Sequence, residues 1–434
     1  MGKVDLAALR ISPCEGQTVK HASSIISFTM GAMIVALGAA DAAIAAPEQI
    51  GCYGDNWGPT LAMLEPTPTG PMTFKIIRCL PIPESWPRII PPSLSPNVDF
   101  VAAFGFAKGF WLGDVTRGGR AYTTTKRLPG DLLKRTVPFA WLHDSSAVIG
   151  VKYDTRVLSG SARGTLRPYL FALDGTQIKL PELVHPNGPL DEIYWIGGSG
   201  LALAGFGTKG NFGEPEHGER KPTLALVDAR NGTILQSVEK ESVPELADQK
   251  SIQAVTSQID AFGKAHVAVA WAPGKWLRWV QGQPPRVVPI SSTARSTPSV
   301  LSSDASSILI MANLSATGSI CEFGASCPPP TPQSGTIAEL RDVSTGRVKW
   351  TLSGTASIFS HSAGPAVSPD GRYGLISLPD GQRNAIALVS MDTGKVVQKF
   401  QQPGWGPTGL SFSPDSKFAI VAAGTTMATF AIEK

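Results

Sequence analysis

Acid-base and metal chemistry need histidines and carboxylates held close together, and this chain has only 6 His to place. The densest candidate cluster runs from Asn211 to Lys221, where Glu214, Glu216 and His217 are residue types that hold a hard or borderline cation. Pro215 and Gly218 interrupt that run and its charges alternate, so the other reading is a solvated loop offering Glu216, His217 and Arg220 to a polar partner. Arg156, Arg163 and Arg167 supply planar guanidinium forks suited to carboxylate or phosphate, although scattered surface arginines account for them as well. His361 is a candidate acid-base or binding group by its position in a connection. His143, His185 and His266 fall in a turn, a connection and at a strand start, where structural or exposed roles are expected.

Other reaction classes find no support. Gly197-Gly198-Ser199-Gly200-Leu201 lacks the last Gly of a nucleophile elbow and precedes a strand rather than a helix. No Gly-rich phosphate loop, His-Glu-x-x-His pair or haem-attachment Cys pair is present, so no cofactor is called for. The 10 Trp suit a packed core, while Trp271, Trp276 and Trp279 are dense enough to line a carbohydrate or aromatic site if exposed.

Residues 23 to 46 form an apolar stretch broken by Asp41 and preceded by Lys3, Arg10 and Lys20. Small residues and an Ala43-Ile44-Ala45 site before Pro47 lead us to expect a secretory signal over 1–46, cleaved near that site, with a retained membrane anchor as the competing reading. Export fits the cysteines. Loss of the signal removes Cys14 and leaves Cys52, Cys79, Cys321 and Cys327, an even set for an oxidising compartment, periplasmic or extracellular. Cys321 and Cys327 would close a small loop, and by elimination Cys52 would pair with Cys79; no second Cys or His pair at ligand spacing supports a metal. A lipidated Cys52 is disfavoured by Gln49, where an aliphatic residue is wanted. A net charge of +4 without a basic run gives no footprint for nucleic acid.

What must position these residues is legible from two recurring turns. Ser368-Pro369-Asp370-Gly371 and Ser413-Pro414-Asp415-Ser416 lie 45 residues apart (368 to 413), each followed by a short apolar run. A second signal is Asp followed by Gly four residues on, at Asp114 to Gly118, Asp228 to Gly232 and Asp342 to Gly346, with Ser390 to Gly394 as a variant. Both are tight connections between extended segments, since Asp or Ser bonds its own backbone and Gly takes positive φ. With 17% charged residues, 45 Gly and 36 Pro, composition also suits short strands.

Placing the first turn between strands a and b and the second between c and d gives an all-β fold, a single seven-bladed propeller of four-stranded antiparallel blades over 88–434. The expected blades are Arg88–Arg127, Pro138–Leu183, Glu192–Glu239, Ser251–Ile290, Pro298–Leu352, Gly364–Phe400 and a last one from Pro407. That last unit stops one strand short, and Met72–Leu80, within an N-terminal extension over 47–87, is a spare extended segment able to close the ring. The b–c connections Asp154–Arg167, Thr208–Pro222 and Ser315–Gly335 are long and share a face; they are either a recognition surface or tolerated insertions.

Through Ala366–Tyr373 and Ile386–Val397 the chain resembles the YVTN-type and WD-repeat-like propellers, over its last 75 or so residues. Leu340–Trp350 resembles the Trp-docking repeat of quinoprotein dehydrogenases, with Trp350 packed between blades as the plainer reading. The resemblance implies two enzymatic options, a lactonase or a quinoprotein-dehydrogenase-like activity. Against these stand a carbohydrate-binding propeller and the reading most residues favour: an exported, non-catalytic binding or scaffold protein of the bacterial cell envelope. That protein would be a monomer without a membrane span after cleavage, meeting a protein or envelope ligand through Arg156, Arg163, Glu216, His217, Arg220 and His361.

Overall fold

The computed structural model describes residues 70–79, 93–97, 99–105, 109–114, 118–122, 139–158, 161–207, 222–243, 254–272, 275–289, 299–312, 332–356, 364–380, 383–402, 409–413, 415–423 and 426–433. Seven four-stranded antiparallel sheets account for nearly all of them. After β1 (Met72–Cys79), blade one is β2 (Ser93–Leu94), β3 (Phe100–Gly105), β4 (Gly109–Asp114) and β5 (Gly118–Tyr122). Blade two is β6 (Phe139–Trp141), β7 (Ala147–Leu158), β8 (Ser161–Ala172) and β9 (Gln177–Lys179); blade three is β10 (Leu190–Ile196), β11 (Leu201–Phe206), β12 (Thr223–Asp228) and β13 (Thr233–Glu239). Blade four is β14 (Ala254–Ile259), β15 (Ala265–Ala272), β16 (Lys275–Val280) and β17 (Arg286–Pro289); blade five is β18 (Ser299–Leu301), β19 (Ser307–Met311), β20 (Gln333–Asp342) and β21 (Val348–Ala356). Blade six is β22 (Ala366–Val367), β23 (Tyr373–Asp380), β24 (Arg383–Ser390) and β25 (Val396–Gln402). Blade seven joins β26 (Gly409–Phe412), β27 (Phe418–Ala423) and β28 (Thr426–Ile432) to β1.

The sheet order reproduces the expected seven-bladed propeller, including the N-terminal strand that supplies the missing edge of blade seven. Met72 lies opposite Ile432 and Cys79 opposite Thr426. From blade one through blade seven, the first strand of each blade neighbours that of the next, which puts these strands on the inside of the ring.

Burial explains why the strands read as they do. The middle strands are pressed between adjacent blades, so β11 and β12 are buried at every position and appear as apolar runs. The outer β13 alternates exposed and half-buried residues instead. The apolar clusters lie between blades rather than within them: Tyr194, Leu203, Leu224, Val267, Leu277 and Trp279 join blades three and four, and Met72, Leu375, Phe400, Val421 and Phe430 join blades six and seven with β1.

Polar groups stitch the same seams. The Ser145 and Ser416 hydroxyls accept from the Asn97 and Asp370 N–H groups of the preceding blade at 3.1 and 3.0 Å. Thr256 Oγ1 accepts from the inner-strand Leu301 N–H at 3.1 Å. Gln398, on the outer strand of blade six, holds the ring-closing strand like a short strand of its own. Its Oε1 accepts from Met72 N–H at 2.7 Å, and its Nε2 donates to Met72 C=O at 2.9 Å. Trp350 packs between blades, its Nε1 donating to Met391 C=O at 2.8 Å beneath the next blade's turn.

Candidate functional site

The strand order puts a–b and c–d turns on one face of the ring and the b–c and d–a connections on the other. On the turn face one device recurs in blades five, six and seven. In Ser302, Ser368 and Ser413 the hydroxyl donates to an aspartate two residues on, at 2.6, 2.7 and 2.7 Å. The same oxygen accepts the N–H five residues on, at 2.9 Å in each case. The residue after the aspartate then takes positive φ, 54° at Ala305, 73° at Gly371 and 59° at Ser416. These carboxylates are committed to their own turns. Asp415 is drawn down to about 2, first by the Ser413 hydroxyl and then by the Lys417 N–H.

Blade four departs from this pattern. Asp260 Oδ1 accepts from the Phe262 and Lys264 N–H groups, both at 2.9 Å, while Oδ2 meets His266 Nε2 at 2.9 Å. The His266 bond first, and the turn amides with it, hold the Asp260 carboxyl below its usual range. His266 thus serves the turn, as its place at a strand start implied.

The opposite face carries the sequence-predicted residues. Arg156 and Arg163 are direct cross-strand partners in the β7–β8 ladder. The segment Asp154–Arg167, expected as a long loop, is instead a regular two-stranded arm, paired without a register shift from Ala147/Ala172 to Leu158/Ser161. β6 reaches only as far as Gly150 and β9 only as far as Tyr169, so Lys152–Leu158 and Ser161–Arg167 run on beyond the four-stranded body. Seven further pairs at about 3.4 Å each make a projection on the order of 20 Å. At its base Arg167 is buried and ion-paired to Glu182 at 3.0 Å, so it no longer belongs with the other two arginines. Lys152 donates to Gln177 and sits 4.4 Å over the Tyr169 ring; burial holds its pKa down.

Glu216, His217, Arg220 and His361 lie outside the described residues, as do Cys52, Cys321 and Cys327. Cys79 ends β1. The roots of the loop that carries Glu216 and His217 are described, and they form a cluster that the sequence had not singled out. His185 Nδ1 accepts from Asn187 N–H at 3.1 Å, its ring stacks on Phe206 at 5.2 Å, and Asn187 Nδ2 donates to Thr223 Oγ1 at 2.6 Å. Gly207, at φ 69°, comes so close that an added Cβ would lie 2.3 Å from the Asn187 carbonyl oxygen. Burial lowers the His185 pKa, with Glu239 opposing. Since Nδ1 is spent as an acceptor, the neutral ring carries its proton on Nε2 and cannot take one there. This histidine pins loop roots.

Among the described inner strands, charge is found only at Asp191 and Glu192 of β10. Glu192 is 1% exposed and accepts from the Tyr194 hydroxyl at 3.2 Å, the one carboxylate-phenol pair on the inner strands described. Neither was flagged beforehand, because Leu190–Ile196 reads as an ordinary apolar strand until its place in the ring is known. Trp276 and Trp279 are 2% and 1% exposed, which removes them from any surface sugar site. No group of three or more His, Cys, Asp or Glu able to hold a metal occurs among the described residues.

Neither the comparison with protein-family models nor that with curated proteins finds a match. The fold is therefore read from the seven sheets, and the function from this site alone.

Proposed function

We propose that the chain is an exported, non-catalytic binding or scaffold propeller of the cell envelope, working through the face that carries its b–c connections. The observation behind this reading is the β7–β8 arm, a regular projecting element with two arginines opposite one another, on the face where the long connections of blades three and five also emerge. A rigid ring that presents variable segments from one side is a common way to build a recognition surface. The finer relationship, to YVTN-type and WD-repeat-like propellers, draws support from the Ser-x-Asp turns and from Trp350 under the following blade. Cleavage after residue 46, a periplasmic or secreted location and disulfides at Cys52–Cys79 and Cys321–Cys327 belong to the same proposal.

The test replaces 154–165, 208–221 and 313–331 singly with short turns, and compares native masses of the proteins isolated from the envelope fraction. Loss of a co-purifying polypeptide in these variants, but not in turn-face controls such as Phe262→Asp, is the expected result. A partner retained in all of them would overturn the reading.

A second reading, a propeller enzyme, rests on buried Glu192 and its Tyr194 hydroxyl, a pair suited to proton transfer. It requires a stoichiometric small-molecule adduct whose turnover is lost in Glu192→Gln.

A further inference from the structure

The arm carries an arrangement that folding alone disfavours. Arg156 and Arg163 are opposite register partners, and like charges placed directly across a ladder are destabilising. Register puts Lys152/Arg167, Asp154/Thr165, Arg156/Arg163 and Leu158/Ser161 at successive positions of one face. The two base cations are already used, Arg167 by Glu182 and Lys152 by Gln177 and the Tyr169 ring. By register, the outer positions of that face hold one acidic residue, Asp154, and two cationic ones, Arg156 and Arg163.

A second feature sits beside it. Beyond Gly150 and Pro168, whose C=O still accepts from the Leu180 N–H at 3.1 Å, no third strand flanks the arm among the described residues, so two edges of a ladder run on without a described strand neighbour. Edge backbone groups are a template for an added strand.

We propose that the arm binds an extended acidic peptide segment of a partner protein. The peptide backbone pairs with an arm edge, and its alternate carboxylates meet the juxtaposed Arg156 and Arg163 positions. Guanidinium forks match carboxylates bidentately, and an extended chain presents its acidic side chains at the two-residue spacing of the arm itself. A lone phosphate would answer the charge but not the edge, and a lipid surface would likewise leave the edge unpaired. This assignment rests on the proposed binding role of the same face.

The experiment measures fluorescence anisotropy of a labelled (Glu-Val)5 decapeptide titrated with the full-length chain. Expected are binding by the native chain, weakening of at least about tenfold in Arg156→Ala/Arg163→Ala and in the milder Arg156→Gln/Arg163→Gln, and similar weakening when every residue of the peptide is N-methylated, which removes the donors of both of its edges. Arg156→Glu/Arg163→Glu should prefer (Lys-Val)5. Unchanged thermal midpoints would verify folding of each variant. No binding by the native chain, equal binding by both neutral variants, or indifference to N-methylation would each overturn the proposal. So would Arg-dependent binding of inorganic phosphate or phosphatidylglycerol vesicles that displaces the peptide. If the arginine variants keep the envelope partner that the loop replacements lose, this inference fails while the binding role of the face survives; if the loop replacements keep it too, both fall.

Discussion

A single serine hydroxyl organises the a–b turns of blades one, five, six and seven by acting in both directions. Ser413 is 3% exposed; its hydroxyl donates to Asp415 and accepts from Phe418 N–H, so both ends of the turn depend on it. Because the Asp415 carboxyl titrates near 2 in the fold and near 4 when unfolded, it stays charged in the fold where the unfolded chain is already protonated. Its contribution is therefore full above about pH 4 and fades as pH falls toward 2. With the side chain 48% exposed, we expect this to amount to about 1 kcal/mol rather than the larger value the shift alone implies. Asn97 accepts the same bonds from Ser95 and the Asp99 N–H, so Asp415→Asn should keep the turn while flattening the acid dependence. Urea midpoints between pH 6 and 2 check this, and parallel curves for native and variant would refute it. Trp350 offers a coupled case. An added Cβ on Gly394, at φ 70°, would lie 2.6 Å from the indole. Gly394→Ala should cost at least about 2 kcal/mol, and Trp350→Phe about 1 to 2 kcal/mol through the lost bond to Met391 C=O. In Trp350→Ala, where the clash is gone, the Gly394→Ala penalty should shrink to the φ strain alone; additivity in this cycle would rule out the contact as its cause.

At the scale of elements, the closing strand is the point where stability can be tested selectively. Gln398 satisfies both the N–H and the C=O of Met72, and all three groups are buried. Gln398→Leu leaves two buried backbone groups without these partners, which should cost about 2 to 4 kcal/mol. Hydrogen exchange should then quicken first over 72–79 and 426–432, while blade three stays protected; uniform acceleration would show that the ring opens only as a whole. Blade limits were legible in the sequence because turn chemistry is local. Asp228 to Gly232, Asp342 to Gly346 and the Ser-x-Asp series fix where strands end, and the spare Met72–Leu80 segment followed from the missing edge of the last unit. The arm was not legible: Lys152-Tyr153-Asp154-Thr155-Arg156 alternates polar with weakly apolar residues, and such a ribbon looks like a loop when neither face is strongly apolar. Opposition of Arg156 and Arg163 needs a register, which no local signal sets. Glu192 was hidden for a different reason, since only ring position distinguishes an inner strand from any other buried one.

For the whole molecule, ring closure depends on strand pairing rather than on the order in which the chain supplies strands. Met72 is the register partner of Ile432 in an antiparallel pair, and Glu433 N–H donates to Pro71 C=O at 2.6 Å, so the end of β28 and the start of β1 already stand where a hairpin turn would join them. A chain beginning at residue 88, running to Glu433, and continuing through Asn-Gly into residues 70–79 would place every strand in its present sheet. We expect this permutant to fold with the native strand signature and a thermal midpoint within a few degrees, because converting β1 into the fourth strand of a continuous blade changes the connection and leaves the ladder intact. Its closing strand should gain protection, since joining β28 to β1 by a two-residue turn lowers the entropic cost of docking that strand. The comparison to make is hydrogen exchange at 72–79 in the permutant and the native chain, alone and with Gln398→Leu. A permutant that folds but loses as much protection from Gln398→Leu as the native chain would mean that the glutamine clamp, not the tethering of β1, holds the ring shut. A permutant that fails to fold would mean that closure requires the N-terminal strand to arrive as a separate segment.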